Sequence, residues 1–301
     1  MPLAVDVAPD GSIYMDHSAF EQSVLIMGRS GAIKAEIPIP QPGGGNEQKV
    51  VVLPDGAIAF DVQRRGQSNL YVGRPGVEPQ LLLNGSESAG LPGALLGDDK
   101  LAFIIGVPGQ PHLAIASLRD GSVIRRFPAD ARQVTAITVP ADGQTIYYAS
   151  NGTIWAQPVS GGDPRSVSQG YDVAIEPSGR SLYVIRAGPK GYELFRVPAS
   201  GGEATRAVVP DHFNLTPLGL SSSAVDGGGR ILLPVNLSDV FFYRAAIFDP
   251  PRKNITIVPV PPRFVVMNSG WTRDGGIAVS VTRWSSSLWR YRQLNQNGNS
   301  R

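Results

Sequence analysis

A short turn signal followed by an apolar, β-rich run recurs along this chain at nearly constant spacing, and that recurrence constrains the fold more than any other feature. Pro9-Asp10-Gly11 precedes Ser12-Ile13-Tyr14, and Pro54-Asp55-Gly56 precedes Ala57-Ile58-Ala59-Phe60. Weaker copies are Gly97-Asp98-Asp99, Ala141-Asp142-Gly143, Pro177-Ser178-Gly179, Asp226-Gly227-Gly228 and Arg273-Asp274-Gly275. Asp-Gly and Ser-Gly supply the left-handed backbone that a tight hairpin needs, and a preceding proline ends the strand before it. In the third copy Asp99 is expected to fill the glycine slot. The chain passes from Gly11 to Gly275 in six steps averaging about 44 residues, and seven such units match its 301 residues.

A second turn follows the first in every unit: Ser30-Gly31, Pro75-Gly76, Asp120-Gly121, Gly161-Gly162, Gly201-Gly202, Lys253-Asn254 and Asn297-Gly298. Strand-like segments surround both turns, as in Thr135–Val139, Thr145–Ala149, Thr153–Pro158 and Pro164–Val167. In order these read as strands A, B, C and D of an antiparallel meander. Repeats of about 40 to 45 residues with four strands are the signature of propeller blades. The expectation is therefore an all-β, seven-bladed β-propeller forming a single domain over 1–301, with blades near 1–48, 49–90, 91–133, 134–170, 171–214, 215–264 and 265–301.

Composition agrees. Gly (35) and Pro (26) make up about 20% of the chain against an average near 12%, and charged residues are only 17%, which favours short strands and tight turns. A net charge of +2 gives no basic stripe of the kind that binds nucleic acid. The longest apolar runs, such as Leu101–Ile105 and Ile231–Val235, are far below the roughly 20 residues that span a bilayer, so no membrane insertion is expected of this segment. Without cysteine there is neither a disulfide framework nor thiolate chemistry, which fits an extracytoplasmic and a cytoplasmic setting alike.

The fourth and fifth units carry the fullest pattern. Ala141-Asp142-Gly143-Gln144-Thr145-Ile146-Tyr147-Tyr148 leads to Ile154-Trp155 and then Gly161-Gly162-Asp163-Pro164-Arg165. Pro177-Ser178-Gly179-Arg180-Ser181-Leu182-Tyr183-Val184 leads likewise to Leu194-Phe195-Arg196-Val197-Pro198 and Ser200-Gly201-Gly202-Glu203. This resembles the WD40-like repeat of TolB-type β-propellers, with a looser match in units one, two and seven and a poor one in units three and six. The resemblance implies the propeller fold. It associates the chain with periplasmic Tol-system proteins, peptidase-attached propellers and bacterial sensor or scaffold domains, and so tilts the expected compartment towards the extracytoplasmic; function itself has to be argued from a site.

The seventh unit has strands A (Val265–Thr272), B (Ile277–Thr282) and C (Leu288–Leu294) but no D, and Leu3–Val7 reads as strand A of unit one. Either the last blade lacks its outer strand, or the chain is the C-terminal part of a longer protein whose upstream residues close it. An open edge is a liability that proteins usually cover.

In related propellers the B–C and D–A loops share the face around the channel mouth. That places Asp16, His17, Asp61, Arg64, Arg65, His112, Tyr192, His212, Asn268, Arg283 and Trp284 there as candidate ligand-binding residues, with Gln63, Lys190, Asp211 and Asn214 beside them. Forked guanidinium donors with an aromatic platform suit an anionic or sugar-like ligand. Asp16 and Asp61 at matching strand ends suit acid–base work or a cation. The three histidines come from distant units without ligand spacing, so no metal and no cofactor is assigned. No Gly-x-Ser-x-Gly elbow and no Ser-His-Asp set can be drawn, and Gly43-Gly44-Gly45 lacks the Lys-Ser/Thr of a phosphate loop, so no catalytic residue is assigned. Tyr147, Tyr148, Trp155, Phe195, Trp271 and Trp289 are expected to pack between blades. The leading reading is a non-enzymatic binding, scaffold or sensor propeller for a protein or small polar ligand; the alternative is a channel-mouth lyase or lactonase using a divalent cation.

Overall fold

The computed structural model describes residues 5–40, 49–64, 66–83, 85–107, 110–130, 133–189, 191–217, 219–237 and 242–291, with the side chains at 17, 18, 64, 129 and 130 outside that description. Every regular element in it is a strand, and the strands form six sheets. Blade 2 is Val51–Val52, Ile58–Arg64, Gln67–Arg74 and Val77–Leu81; blade 3 is Ser88–Leu96, Lys100–Val107, Gln110–Ser117 and Val123–Asp130. Blade 4 is Val134–Thr138, Thr145–Ser150, Thr153–Pro158 and Arg165–Gln169. Blade 5 is Asp172–Ile175, Ser181–Gly188, Gly191–Pro198 and Thr205–Ala207, and blade 6 is Phe213–Leu215, Ile231–Leu237, Arg244–Asp249 and Asn254–Ile257. Each is a four-stranded antiparallel meander in chain order.

Blade 1 is built differently, and it corrects the expected count from seven blades to six. Its inner strands are Phe264–Trp271 and Ile277–Tyr291, and its outer strands are Ile13–Met27 and Ile33–Ile39. The two 15-residue strands pair along their whole length, from Ile13 opposite Tyr291 to Met27 opposite Ile277. The first and last repeats are therefore two halves of one blade, and the last blade does not lack its outer strand. Seven turn signals enclose six intervals. The segments expected as separate strands B and C in those repeats run on without a turn between them. Val5–Val7 is not an inner strand either: it pairs with Ile13–Met15, on the edge of Ile13–Met27 that Ile33–Ile39 also uses. Beyond the blade, 5–21 and 283–291 form a projecting ribbon.

The core shows why six wedges are self-consistent. Alternate residues of a strand face opposite sides of its sheet, and successive residues here feed different apolar clusters. Val24 packs with Ile37, Ile58 and Phe60 between blades 1 and 2, whereas Leu25 packs with Leu232, Val258 and Phe264 between blades 6 and 1. Tyr147 joins Val173 and Val184 between blades 4 and 5, while Tyr148 joins Leu113, Ile115 and Phe127 between blades 3 and 4. Phe103 with Leu101 fills the interface of blades 2 and 3, and Leu220, Ile231, Leu233 and Phe248 fill that of blades 5 and 6. Six clusters thus serve six interfaces, and the ring closes where strand Phe264–Trp271 meets both blade 6 and blade 2.

The turns behave largely as the sequence implies. Asp55 Oδ1 accepts from the Ala57 amide at 3.0 Å while Gly56 takes φ +83°, the local geometry that turns strand A into strand B. In the third copy the left-handed residue is Gly97 (φ +67°) rather than Asp99. Trp289 also departs from expectation. It lies on the ribbon, half exposed and stacked on Tyr291 at 6.2 Å, because strand Ile277–Tyr291 has already left the blade by that point.

Leu25 is fully buried between blades 6 and 1, whereas Leu288 on the ribbon is 71% exposed. Leu25→Ala should cost about 2–5 kcal/mol in urea unfolding, and Leu288→Ala less than about 0.5 kcal/mol. Equal costs at the two sites would contradict this division between blade and ribbon.

Candidate functional site

Inner strands run from the face of the B–C and D–A loops to the face of the A–B turns, so the central channel has two unlike mouths. At the loop-face end, Lys49 enters blade 2 and Asp172 opens the inner strand of blade 5, which stands opposite in a ring of six. Lys49 Nζ donates to Asp172 Oδ1 at 3.2 Å and to the Leu220 carbonyl of blade 6 at 3.2 Å. Asp172 Oδ2 accepts from the Leu220 amide at 2.6 Å, and Oδ1 from the Val173 amide at 3.0 Å. This ion pair crosses the channel and ties three blades together. Burial pushes the Asp172 carboxyl up to about 6, against the downward pull of Lys49 and the two amides. Removing either partner would strand the other charge in a dry setting.

At the turn-face end the channel opens into a cavity of about 550 Å³. Trp271 forms part of its wall, and its indole Nε1 donates to the Ala224 carbonyl at 3.0 Å. Two guanidinium groups lie over the ring, Arg29 at 4.9 Å and Arg230 at 5.5 Å from its centroid. Asp226 holds both: Arg230 Nε donates to Oδ2 at 2.8 Å, and Arg29 Nη2 stands 3.9 Å away. Arg29 Nε also donates to the Gly275 carbonyl at 3.0 Å. Burial works against ionisation of Asp226, but the Arg230 hydrogen bonds and charge outweigh it and hold the carboxyl below its ordinary value. Across the mouth, Arg273 Nη1 lies 3.6 Å from Asp98 Oδ1. Three arginines therefore face two carboxylates at this rim.

The residues expected at the loop face are spread over several sheets. Asp16, Arg283 and Trp284 lie on the ribbon: Asp16 stands opposite Leu288, Arg283 Nε donates to Glu21 Oε2 at 2.9 Å, and Trp284 meets Phe20 edge to face at 4.4 Å. His17 is on the same ribbon strand, with its side chain outside the described residues, as is that of Arg64 at the end of its strand in blade 2. Arg65 and Lys190 lie outside the described residues altogether. Asp61 is half-buried in blade 2, facing Gly90 of blade 3, where an added Cβ would stand 3.0 Å from its Oδ2. His112 is in blade 3, Tyr192 packs edge to face on Tyr171 at 6.2 Å in blade 5, and His212 tilts against Phe213 at 4.2 Å before blade 6. Among the described residues, no group of three or more His, Cys, Asp or Glu side chains is placed to hold a metal ion. Asn268, on the inner strand of blade 1, is buried at 1% exposure.

Sequence reasoning passed over Arg29, Asp226, Arg230 and Arg273. Each sits in or beside a turn signal, and Trp271 precedes one. The available signal was an arginine at three turns that meet around one aromatic residue, but that meeting depends on blades 1 and 6 being neighbours.

No protein-family model and no characterised sequence matches this chain. Its structure is similar to that of a putative TolB from Agrobacterium tumefaciens, at TM-score 0.64 and 15% identity over 89% of this chain and 99% of the other. TolB from Acinetobacter baumannii matches at TM-score 0.50 and 15% identity, over 88% of this chain and 66% of that one. A chain in a nidogen/laminin complex matches at TM-score 0.50 and 10% identity, over 79% and 92%. The fold is that of the TolB-type β-propellers. No helix among the described residues is long and apolar enough to cross a membrane.

Burial raises the Asp61 carboxyl from 3.8 to about 6, with hydrogen bonds from Ser68 and the Leu91 backbone opposing the shift. The folded state then binds more protons than the unfolded state between these values, so this group's contribution to stability falls as pH rises from about 4 through about 6. Asp61→Asn removes that dependence. The melting temperature of the parent protein, taken relative to Asp61→Asn, should be higher at pH 4.5 than at pH 7.5, with the change centred between about pH 4 and 6. A difference that stays constant, or grows with pH, would contradict the assignment.

Proposed function

We propose that this propeller is a recognition module that binds a protein or small polar ligand at the turn-face mouth of its channel and does not turn it over. The observation that carries this reading is the asymmetry of the channel. One end is crossed by the Lys49–Asp172 pair, while the other opens into a cavity of about 550 Å³ with an arginine-flanked Trp271 in its wall. A volume of this size lies within the range of ligand pockets, roughly 300–1,000 Å³. Its guanidinium groups and indole are binding chemistry: forked donors and a flat apolar wall. One of the similar chains comes from a nidogen/laminin complex, which is compatible with a propeller of this kind serving protein recognition. An extracytoplasmic setting accompanies the reading, supported by the likeness to TolB.

Hydrogen exchange tests the proposal with the partner still unidentified. The purified protein is incubated with extract of its native host, separated by ultrafiltration into macromolecular and small-molecule fractions. One fraction should slow exchange in 223–230 and 271–276, and the protection should diminish in Arg273→Glu. Protection confined to outer strands such as Val123–Asp130, or conversion of a compound in the small-molecule fraction, would overturn it.

A further inference from the structure

The ribbon that projects beyond blade 1 carries an apolar face that no blade covers among the described residues. Opposed residues of an antiparallel pair point to the same side of the sheet. Val5 stands opposite Met15 and Met15 opposite Trp289, while Val7 stands opposite Ile13 and Ile13 opposite Tyr291. Two apolar rows therefore lie side by side on one face, each crossing all three strands. Val5 is 57% exposed, Val7 62%, Ile13 40%, Trp289 50% and Tyr291 46%, and Met15 is half-buried. Trp289 Nε1 donates to Ser287 Oγ at 2.8 Å, and its ring stacks on Tyr291, so the two aromatics present a flat apolar surface. On the opposite face Asp6, Tyr14 and Arg290 form one row, and Asp16 with Leu288 the next. There Arg290 Nη2 donates to Asp10 Oδ2 at 2.7 Å, and the guanidinium lies 5.4 Å from the centroid of the Tyr14 ring. Antiparallel sheets with one apolar face ordinarily pack that face against something and leave the other to solvent.

We propose that this face docks a second copy of the chain, giving a two-fold dimer joined ribbon to ribbon. The inference does not rest on the recognition reading. Strand Ile277–Tyr291 runs from the turn face to the loop face, so the ribbon projects from the loop face and the dimer leaves the turn-face cavity open. Charge, area and shape each favour a second copy. None of the six side chains is charged, and both arginines of the ribbon are paired within it, Arg290 with Asp10 and Arg283 with Glu21, which disfavours an anionic membrane or an acidic partner. The exposures of the six amount to roughly 500 Å² of apolar surface, high for a monomer, and two such faces bury about 1,000 Å², the lower bound of a specific interface. A two-fold axis running across the strands lays the two rows on each other in reverse order. Trp289 then meets Tyr291 of the second copy and Val5 meets its Val7, each contact occurring twice. The same axis places the two rings at opposite ends, and from Arg283 to Tyr291 the ribbon extends about 26 Å, which keeps them apart.

Sedimentation velocity of the whole chain over a range of concentrations tests the proposal. The chain should pass from monomer to dimer as concentration rises through the micromolar range, as suits an interface of this size. Trp289→Lys and Val7→Lys should each raise the dimer dissociation constant at least about tenfold. Both variants should melt at the parent's temperature, because neither residue belongs to an apolar cluster between blades. Val7 lies on the outer strand of the ribbon, so its variant still reads the face should Trp289→Lys disturb the central pairing. Leu288→Lys, which places the same charge on the opposite face, should leave the dissociation constant unchanged. Flotation with phosphatidylcholine vesicles examines the other apolar occupant, and the protein should stay unbound. A monomer at every concentration up to about 1 mM would overturn the proposal. So would a dimer that neither Trp289→Lys nor Val7→Lys weakens, equal weakening by Leu288→Lys, or vesicle binding that Trp289→Lys abolishes.

Discussion

The pairing of Ile13–Met27 with Ile277–Tyr291 is the interaction on which the rest of the molecule depends. A blade in an open array has one face without a partner, and a ring removes that exposure only when the last wedge meets the first. Here the closing wedge is shared: two strands come from each end of the chain. Its two faces bury Val24 and Ala278 against blade 2, and Leu25, Val279 and Val281 against blade 6. Full burial of each large aliphatic side chain among these is worth about 1.5–3 kcal/mol. The closing blade therefore holds two interfaces as well as its own hydrogen bonds.

Closure also creates the candidate site. With six blades, blade 2 stands opposite blade 5, and Lys49 reaches across to Asp172. Blade 1 adjoins blade 6, so Trp271 and Arg29 from one meet Arg230 and Asp226 from the other. Ser221 and Ser223 meet Gly270 across the same seam. The polar column along the axis is thus a product of ring order, and a change in blade number would dismantle it.

The all-β class, the four-stranded repeat and most turns were legible because each rests on local chemistry. Asp55-Gly56 makes its turn from side-chain capping and a left-handed glycine, both visible in three residues. The blade count was less legible because it depends on which distant strands pair. The local hint that 13–27 and 277–291 are each one long strand is that neither carries a glycine or proline where other repeats turn, but nothing local says that the two pair with each other. The site was less legible for the same reason. Asn268 was expected at the loop-face mouth with the other candidates, whereas it lies buried within the inner strand of the shared blade. Arg29 and Arg230 are ordinary turn arginines until blades 1 and 6 are known to touch.

The absence of cysteine from the chain makes the most direct test of closure clean. Gln22 stands opposite Thr282 in the closing blade. Directly opposed residues of an antiparallel pair have Cα atoms about 4.5–5.5 Å apart, within the span a disulfide bridges. The variant carrying both Gln22→Cys and Thr282→Cys should oxidise to a single intramolecular disulfide, detected by mass spectrometry of the intact and digested protein, and should melt higher oxidised than reduced. Two thiols that stay free in the folded protein under oxidising conditions would contradict the shared blade and, with it, the six-bladed ring.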